Sequence, residues 1–238
     1  MFYSLIDTEF IQSTFQDILN EIKTHYHSLV TINSYGIGFK NKQKALMRPY
    51  IEDFCPHILK LYNNPQLIKK LGSIVPSEKK LIICDSSMVR SCEVIVSDSE
   101  DNHIDWHKDY NLYNSRRFTF LLVLEVSNGQ VFFVEDIKLK FVKNLGIIFD
   151  DETYHKVGMP TNVGKRITLS FSYTTDPSIN LLKYIKRFPQ TLLYKIYSLL
   201  NYDNYIRRIT IPIFLLVLFF LIGIFFIQSL HKRISQLI

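Results

Sequence analysis

Cysteine is scarce: the 238 residues include three, Cys55, Cys84 and Cys92. Three scattered thiols exclude a disulfide-stapled scaffold. Glycine and proline are also sparse, eight of each, which excludes collagen-like and low-complexity chains. No Asn-x-Ser/Thr acceptor occurs, so nothing points to glycosylation in a secretory lumen, and a reducing compartment is expected. The opening residues, MFYSLIDTEF, lack the basic region and apolar stretch of a secretion signal. Acids are outnumbered, 22 against 28 Lys and Arg, for a net charge of +6. What is plentiful is apolar: 47% of residues are hydrophobic and 14% aromatic. Such a composition suits a folded domain and not a disordered chain.

The positive charge is concentrated. Residues 178–208 carry six basic side chains (Lys183, Lys186, Arg187, Lys195, Arg207, Arg208) and one acid, Asp203, while residues 1–177 are close to neutral. The basic stretch adjoins an apolar segment, so no nucleic-acid partner is expected. From Ile209 to Leu230 no charged residue occurs. As a helix, that run is roughly 33 Å long at about 1.5 Å per residue, enough to cross a bilayer. A buried core helix is the weaker reading, because so long an apolar run rarely fits a small soluble domain. More Lys and Arg precede the run than follow it. The expectation is a single-pass C-terminal tail anchor, a short basic tail at 231–238, and the larger domain on the cytoplasmic side. Leu192, Leu193, Ile196, Leu199 and Leu200 fall on one helical face, suited to lying on the membrane surface or packing against the domain.

Within the first 76 residues, Phe10, Phe15, Ile18, Leu19 and Ile22 form a helical stripe. A second, between Ile51 and Leu71, is interrupted by Pro56 and Pro65. After Pro76 the texture changes to short β-rich runs: KKLIICD, CEVIVSD, RFTFLLVLEV, QVFFVED, KLKFV, LGIIFDD and RITLSFSYTT. Ser127-Asn128-Gly129 between two of them reads as a hairpin turn. Gly36 and Gly38 lack the strand–turn–helix context of a phosphate loop and read as a turn. Regularly spaced strands after a helical section predict an α+β chain: a barrel or double-sheet jelly roll over residues 77–177, buttressed by N-terminal helices.

The chemistry-bearing stretch is HIDWHKDYN, residues 103–111, followed by Tyr154-His155 and Gly164-Lys165-Arg166. Residues two apart on a strand share a face, so His107 and Asp109 offer an imidazole and a carboxylate to one ion. A distant His155 would complete two histidines and one carboxylate with open positions, the donor set of non-haem Fe(II). Arg166 opens a strand with Thr168 and Ser170 on its face, a placement suited to gripping a carboxylate. His103-x-Asp105 repeats the His-x-Asp pattern and competes for the ligand role. Arg116 and Arg117 read as solvated charges at a strand start, with an acidic substrate as the alternative. His25, His27 and His57 read as surface or packing histidines.

The set His107, Asp109, His155 and Arg166 resembles that of the 2-oxoglutarate/Fe(II)-dependent dioxygenases, in particular their prolyl-hydroxylase-like branch. The similarity runs from about Pro65 to about Thr175, through NNPQLIKKLGSIVP, EVIVSDSEDNHIDWHKD, RRFTFLLVLE and YHKVGMPTNVGKRITLSFSY. It implies a double-stranded β-helix as the core, to which the apolar run 209–230 adds the expected C-terminal transmembrane helix. The resemblance further implies His107, Asp109 and His155 as catalytic iron ligands, and Arg166 as the residue that grips 2-oxoglutarate, beside which Thr168 is taken as a co-substrate contact. The family places another His four residues before its ligand His, which favours His107/Asp109 over His103/Asp105. Two family tyrosines are absent: Asp98 stands at one position and Leu122 and Val123 at the other. The hydroxyl partner of the co-substrate is then sought among Thr168, Ser170 and Tyr173. The implied activity is hydroxylation of a protein side chain such as proline, with Fe(II), 2-oxoglutarate and O2, and ascorbate as an accessory. The alternatives are a hydroxylase of a membrane-associated lipid or small molecule, a metal-binding jelly roll without catalysis, and a purely structural tail-anchored scaffold.

Overall fold

The computed structural model describes residues 1–32, 43–86, 88–99 and 102–184. The Gly36–Gly38 turn, the linker beyond residue 184, the 192–200 face and the apolar run 209–230 lie outside those residues. Among the described residues no helix is long and apolar enough to cross a membrane.

Prolines divide the helical region where the sequence places them. Helix α1 spans Phe15–Thr24, with Phe15, Ile18, Leu19 and Ile22 buried. Helices α2 (Arg48–Phe54), α3 (Pro56–Tyr62) and α4 (Pro65–Gly72) follow as short segments, each with a proline in its first turn. A proline there lacks only an N–H that would have no helical partner, so it starts a helix as readily as it ends one. Asn64 caps α4, its side chain accepting from the N–H groups of Gln66 and Leu67. The N-terminal region is not purely helical. It also holds β1 (Tyr3–Ile6), β2 (Val30–Ile32) and β3 (Gln43–Met47), which extend a sheet formed mainly by later strands. Runs of three to five residues are too short for periodicity to reveal.

The predicted strands are present as β4 (Ile82–Ile83), β5 (Cys92–Ser97), β7 (Arg117–Val126), β8 (Val131–Val134), β9 (Ile137–Lys140), β10 (Gly146–Asp150) and β12 (Arg166–Thr174). Two further strands, β6 (Ile104–His107) and β11 (His155–Val157), carry the candidate histidines. The strands form two antiparallel sheets. The larger runs β1-β10-β7-β12-β5-β3-β2, with β4 also on β12; the smaller runs β6-β11-β8-β9. Leu121, Val123, Ile147 and Phe149 of the large sheet meet Phe132, Val134 and Val157 of the small sheet, with Phe141, in one buried cluster. This is a jelly-roll interior.

Ser127-Asn128-Gly129 is not a hairpin turn. It carries the chain from β7 in one sheet to β8 in the other. Gly129 has φ of +67°, and a Cβ there would lie 2.1 Å from Thr161 Oγ1, so only glycine fits. The carbonyl of Asn128 accepts the N–H groups of both Thr161 and Asn162, tying this crossing to the loop before Arg166.

Packing on the core continues past residue 177. Asn180 N–H donates to the Leu112 carbonyl (2.8 Å), Ser178 O accepts from Asn114 N–H (3.1 Å), and Ile179 bridges Tyr113. The described fold therefore extends to Tyr184.

Candidate metal centre

β6 and β11 pair with His107 opposite His155, which brings two imidazoles together with ring centroids 4.2 Å apart. Asp109 lies just beyond β6 rather than on it. One atom from each of these three residues falls within 4.8 Å of the others. Asp109 Oδ1 is 3.9 Å from His107 Nε2 and 3.7 Å from His155 Nε2. Among the described residues this is the group of acids, histidines or cysteines able to hold an ion, and it includes neither His103 nor Asp105.

Each histidine is aimed by its other nitrogen. His107 Nδ1 lies 2.8 Å from the Asp105 carbonyl, and His155 Nδ1 lies 3.0 Å from the Thr153 carbonyl. A carbonyl only accepts, so each Nδ1 carries the proton and each Nε2 presents its lone pair to the cluster. His155 is 4% exposed and packs against the rings of Phe149 and Phe132. Burial holds its pKa below the ordinary histidine value, with Asp109 opposing the shift, and favours the neutral form that binds metals.

Asp109 is oriented by the residue the sequence reading left in solvent. Arg117 is buried, and each of its three guanidinium nitrogens donates a hydrogen bond. Its Nη2 donates to Asp109 Oδ2 (3.1 Å) and to Thr119 Oγ1 (3.0 Å), its Nε to Ser172 Oγ (3.1 Å), and its Nη1 to the Tyr110 carbonyl. Thr119 Oγ1 itself donates to Asp109 Oδ2 at 2.6 Å. One carboxylate oxygen is thus held by the protein while the other faces the two Nε2 atoms. Burial alone would raise the Asp109 pKa, but Arg117, His155, His107 and Thr119 together hold it far below the carboxylate range. Alternation along β7 puts Arg117 and Thr119 on the face of Leu121 and Val123, which line the interior between the sheets. Phe118, Phe120 and Leu122 on the other face are buried as well, so the sequence alone did not choose between the two arginines. Arg116, by contrast, is half exposed and lies 3.3 Å from Asp150.

The interior continues from Thr119 along Leu121 and Val123 to β12. There Arg166, 2% exposed, lies over the ring of Phe141 with its guanidinium carbon 4.6 Å from the ring centre. Its Nε and Nη1 are buried without a partner, and so is Thr168 Oγ1 on the same strand face. Burial with no counter-charge pushes the Arg166 pKa well below its ordinary value. Of the other hydroxyl candidates, Tyr173 donates to the Tyr62 carbonyl at 3.1 Å, outside this interior, and Ser170 is buried. Leu121 and Val123 face inward here, so Leu122 does not line the interior. Asp98 accepts from Tyr26 and Lys44. His25 Nδ1 hydrogen-bonds the Tyr50 hydroxyl (2.9 Å) and His57 Nδ1 lies 3.2 Å from Glu21 Oε1, so both histidines make structural polar contacts. His27 is exposed.

No family model matches the chain, and no curated protein sequence does. Solved structures do. A prolyl hydroxylase from Trichoplax adhaerens, in complex with a hypoxia inducible factor oxygen-degradation-domain peptide, aligns at a TM-score of 0.56, with 14% identity over 73% of this chain and 83% of that one. The non-heme α-ketoglutarate-dependent epimerase SnoN of nogalamycin biosynthesis aligns at 0.56, with 12% identity over 72% of this chain and 77% of that one. The fold is that of the 2-oxoglutarate/Fe(II) oxygenases. A prolyl 4-hydroxylase from Phytophthora capsici aligns at 0.51, with 15% identity over 82% of this chain and 68% of its own. In this oxygenase fold, the His-Asp-His group and the unpaired arginine occupy one interior between the sheets.

Proposed function

We propose that the chain is an Fe(II)- and 2-oxoglutarate-dependent dioxygenase. The observation that carries this reading is Arg166: a buried guanidinium with two unpartnered nitrogens, beside an unpartnered Thr168 hydroxyl. An unpaired buried cation is costly, and a dianionic co-substrate would relieve that cost. His107, Asp109 and His155 would hold iron through two Nε2 atoms and Asp109 Oδ1, leaving the remaining positions open. Bound iron with 2-oxoglutarate and O2 supplies oxidation of a C–H bond to C–OH, with release of succinate and CO2. The protein aims the two imidazoles, holds Asp109 to one free oxygen, and keeps an apolar wall of Leu121 and Val123 between the two ends. Ascorbate would serve as an accessory reductant.

The favoured substrate is a protein side chain of the proline type, supported by the likeness to prolyl hydroxylases, one of them solved with a peptide. A lipid or small molecule at a bilayer is the second reading, favoured by the charge-free run 209–230. That run also supports a single-pass anchor, and the excess of Lys and Arg before it supports a cytoplasmic catalytic domain. Anaerobic titration should show Fe(II) binding followed by 2-oxoglutarate binding, and admission of O2 should release succinate. Iron binding without 2-oxoglutarate binding would leave only a metal-binding jelly roll. Alkaline extraction of membranes should retain the full chain in the pellet; its release into the supernatant would remove the anchor.

A further inference from the structure

The segment Ser178–Tyr184 crosses the loop that follows Asp109. Besides the backbone bonds at Ser178 and Asn180, Asn180 Nδ2 donates to Asn114 Oδ1 (3.0 Å), and Lys183 Nζ to the Tyr113 carbonyl (3.1 Å). The Tyr110 hydroxyl donates to the Lys183 carbonyl at 2.7 Å. Tyr110, Ile179 and Tyr184 pack on a buried cluster of Cys84, Met88, Leu112 and Tyr113. Tyr110 is thereby held at both ends, because its own carbonyl accepts from Arg117 Nη1. Arg117 in turn grips Asp109 Oδ2. Three consecutive hydrogen bonds lead from Lys183 to the carboxylate.

We propose that Ser178–Tyr184 is a positioning strap for the metal centre, with Tyr110 as the residue that links it to Asp109. The strap lies on the stretch of chain that leads from the core toward the basic linker. Its docking holds the 110–114 loop, that loop holds Arg117, and Arg117 keeps Asp109 as a one-oxygen donor. Undocking frees the Tyr110 carbonyl to move, so Arg117 loses one of its anchors and the carboxylate is held less firmly, with the Thr119 bond remaining. Metal affinity is then set partly by a segment that touches no metal.

The proposal rests on the iron reading, so the test uses the full-length chain in detergent and Mn(II) alone as the probe. Two variants act at separate places. Tyr110→Phe removes the bond to Lys183 but keeps the ring in its cluster. Asn180→Ala loosens the strap without touching Tyr110. Each should weaken Mn(II) binding by about two- to tenfold, the scale of one hydrogen bond. 2-Oxoglutarate affinity at saturating Mn(II) should be unchanged, because Arg166 lies at the other end of the interior. A strap that only stabilised the fold would lower the melting temperature of the metal-free protein and leave Mn(II) affinity as in the wild type; that result overturns the proposal. Failure of the wild type to bind Mn(II) would sink the iron reading and the strap together, and is distinct from equal binding by wild type and variants.

Discussion

Arg166→Met is expected to abolish useful 2-oxoglutarate binding and to raise the melting temperature of the protein without co-substrate. Both effects have one cause. The guanidinium is buried with Nε and Nη1 unpartnered, and such a cation is destabilising until an anion arrives. Methionine fills similar space without charge. Loss of one partner from a buried ion pair costs about 3–5 kcal/mol, roughly a hundred- to a thousandfold or more in affinity. Arg166→Lys keeps the charge but loses the planar fork, and should cost about 1.5–3 kcal/mol. Neither variant should alter Fe(II) affinity, since the arginine lies at the other end of the interior from the histidines. Calorimetric titration and a thermal melt measure both halves. Unchanged 2-oxoglutarate affinity, or a lower melting temperature in Arg166→Met, would mark Arg166 as structural.

At the opposite end, His107→Ala, Asp109→Ala and His155→Ala should each remove Fe(II) binding, while His103→Ala should leave most of it. Two remaining donors hold a labile divalent ion too weakly. Asp109→Ala should also destabilise the fold, because Arg117 stays buried without its carboxylate. The expected cost is at the low end of about 3–5 kcal/mol, since the Asp109 side chain keeps 20% of its surface exposed. His155→Ala carries no such penalty from an unpaired charge and is the cleaner variant. The sign of the pH effect follows from the depressed Asp109 pKa. Its contribution to stability is present above the ordinary carboxylate value and is lost as pH falls toward the native value. Retention of Fe(II) by Asp109→Ala and loss by Asp105→Ala would move the ligand set four residues upstream.

Strand texture was legible because alternating, β-branched and aromatic runs leave a local record, as in RFTFLLVLEV and RITLSFSYTT. The four candidate residues stood out in the sequence through their spacing and a family resemblance. What the sequence hid was direction. Two adjacent arginines, Arg116 and Arg117, look alike on paper, yet one faces solvent and the other is buried behind Asp109. The choice follows only once Leu121 and Val123 are known to face the core. The crossing at Ser127-Asn128-Gly129 was hidden for a similar reason, since the same turn residues serve a hairpin and a change of sheet. Asp109 was expected on a strand with His107 but lies just past its end. There its position depends on Arg117, Thr119 and a loop under the 178–184 strap, contacts that join residues dozens of positions apart.

Trp106 is the chain's one tryptophan. It stacks on Tyr154 with ring centroids 5.2 Å apart and planes 10° from parallel, and Lys156 Nζ lies 5.0 Å above it. Its neighbours in sequence are revealing: Trp106 precedes His107, and Tyr154 precedes His155. All indole emission from this protein therefore originates on β6, the strand that bears His107, with a phenol stacked on the ring and a cation close to it. An ion held by His107 and His155 would be bound by the residues that directly follow Trp106 and Tyr154, so a fluorescence titration with a paramagnetic ion is expected to quench that single fluorophore. Such quenching would give an optical gauge of metal loading, readable without a label and without turnover.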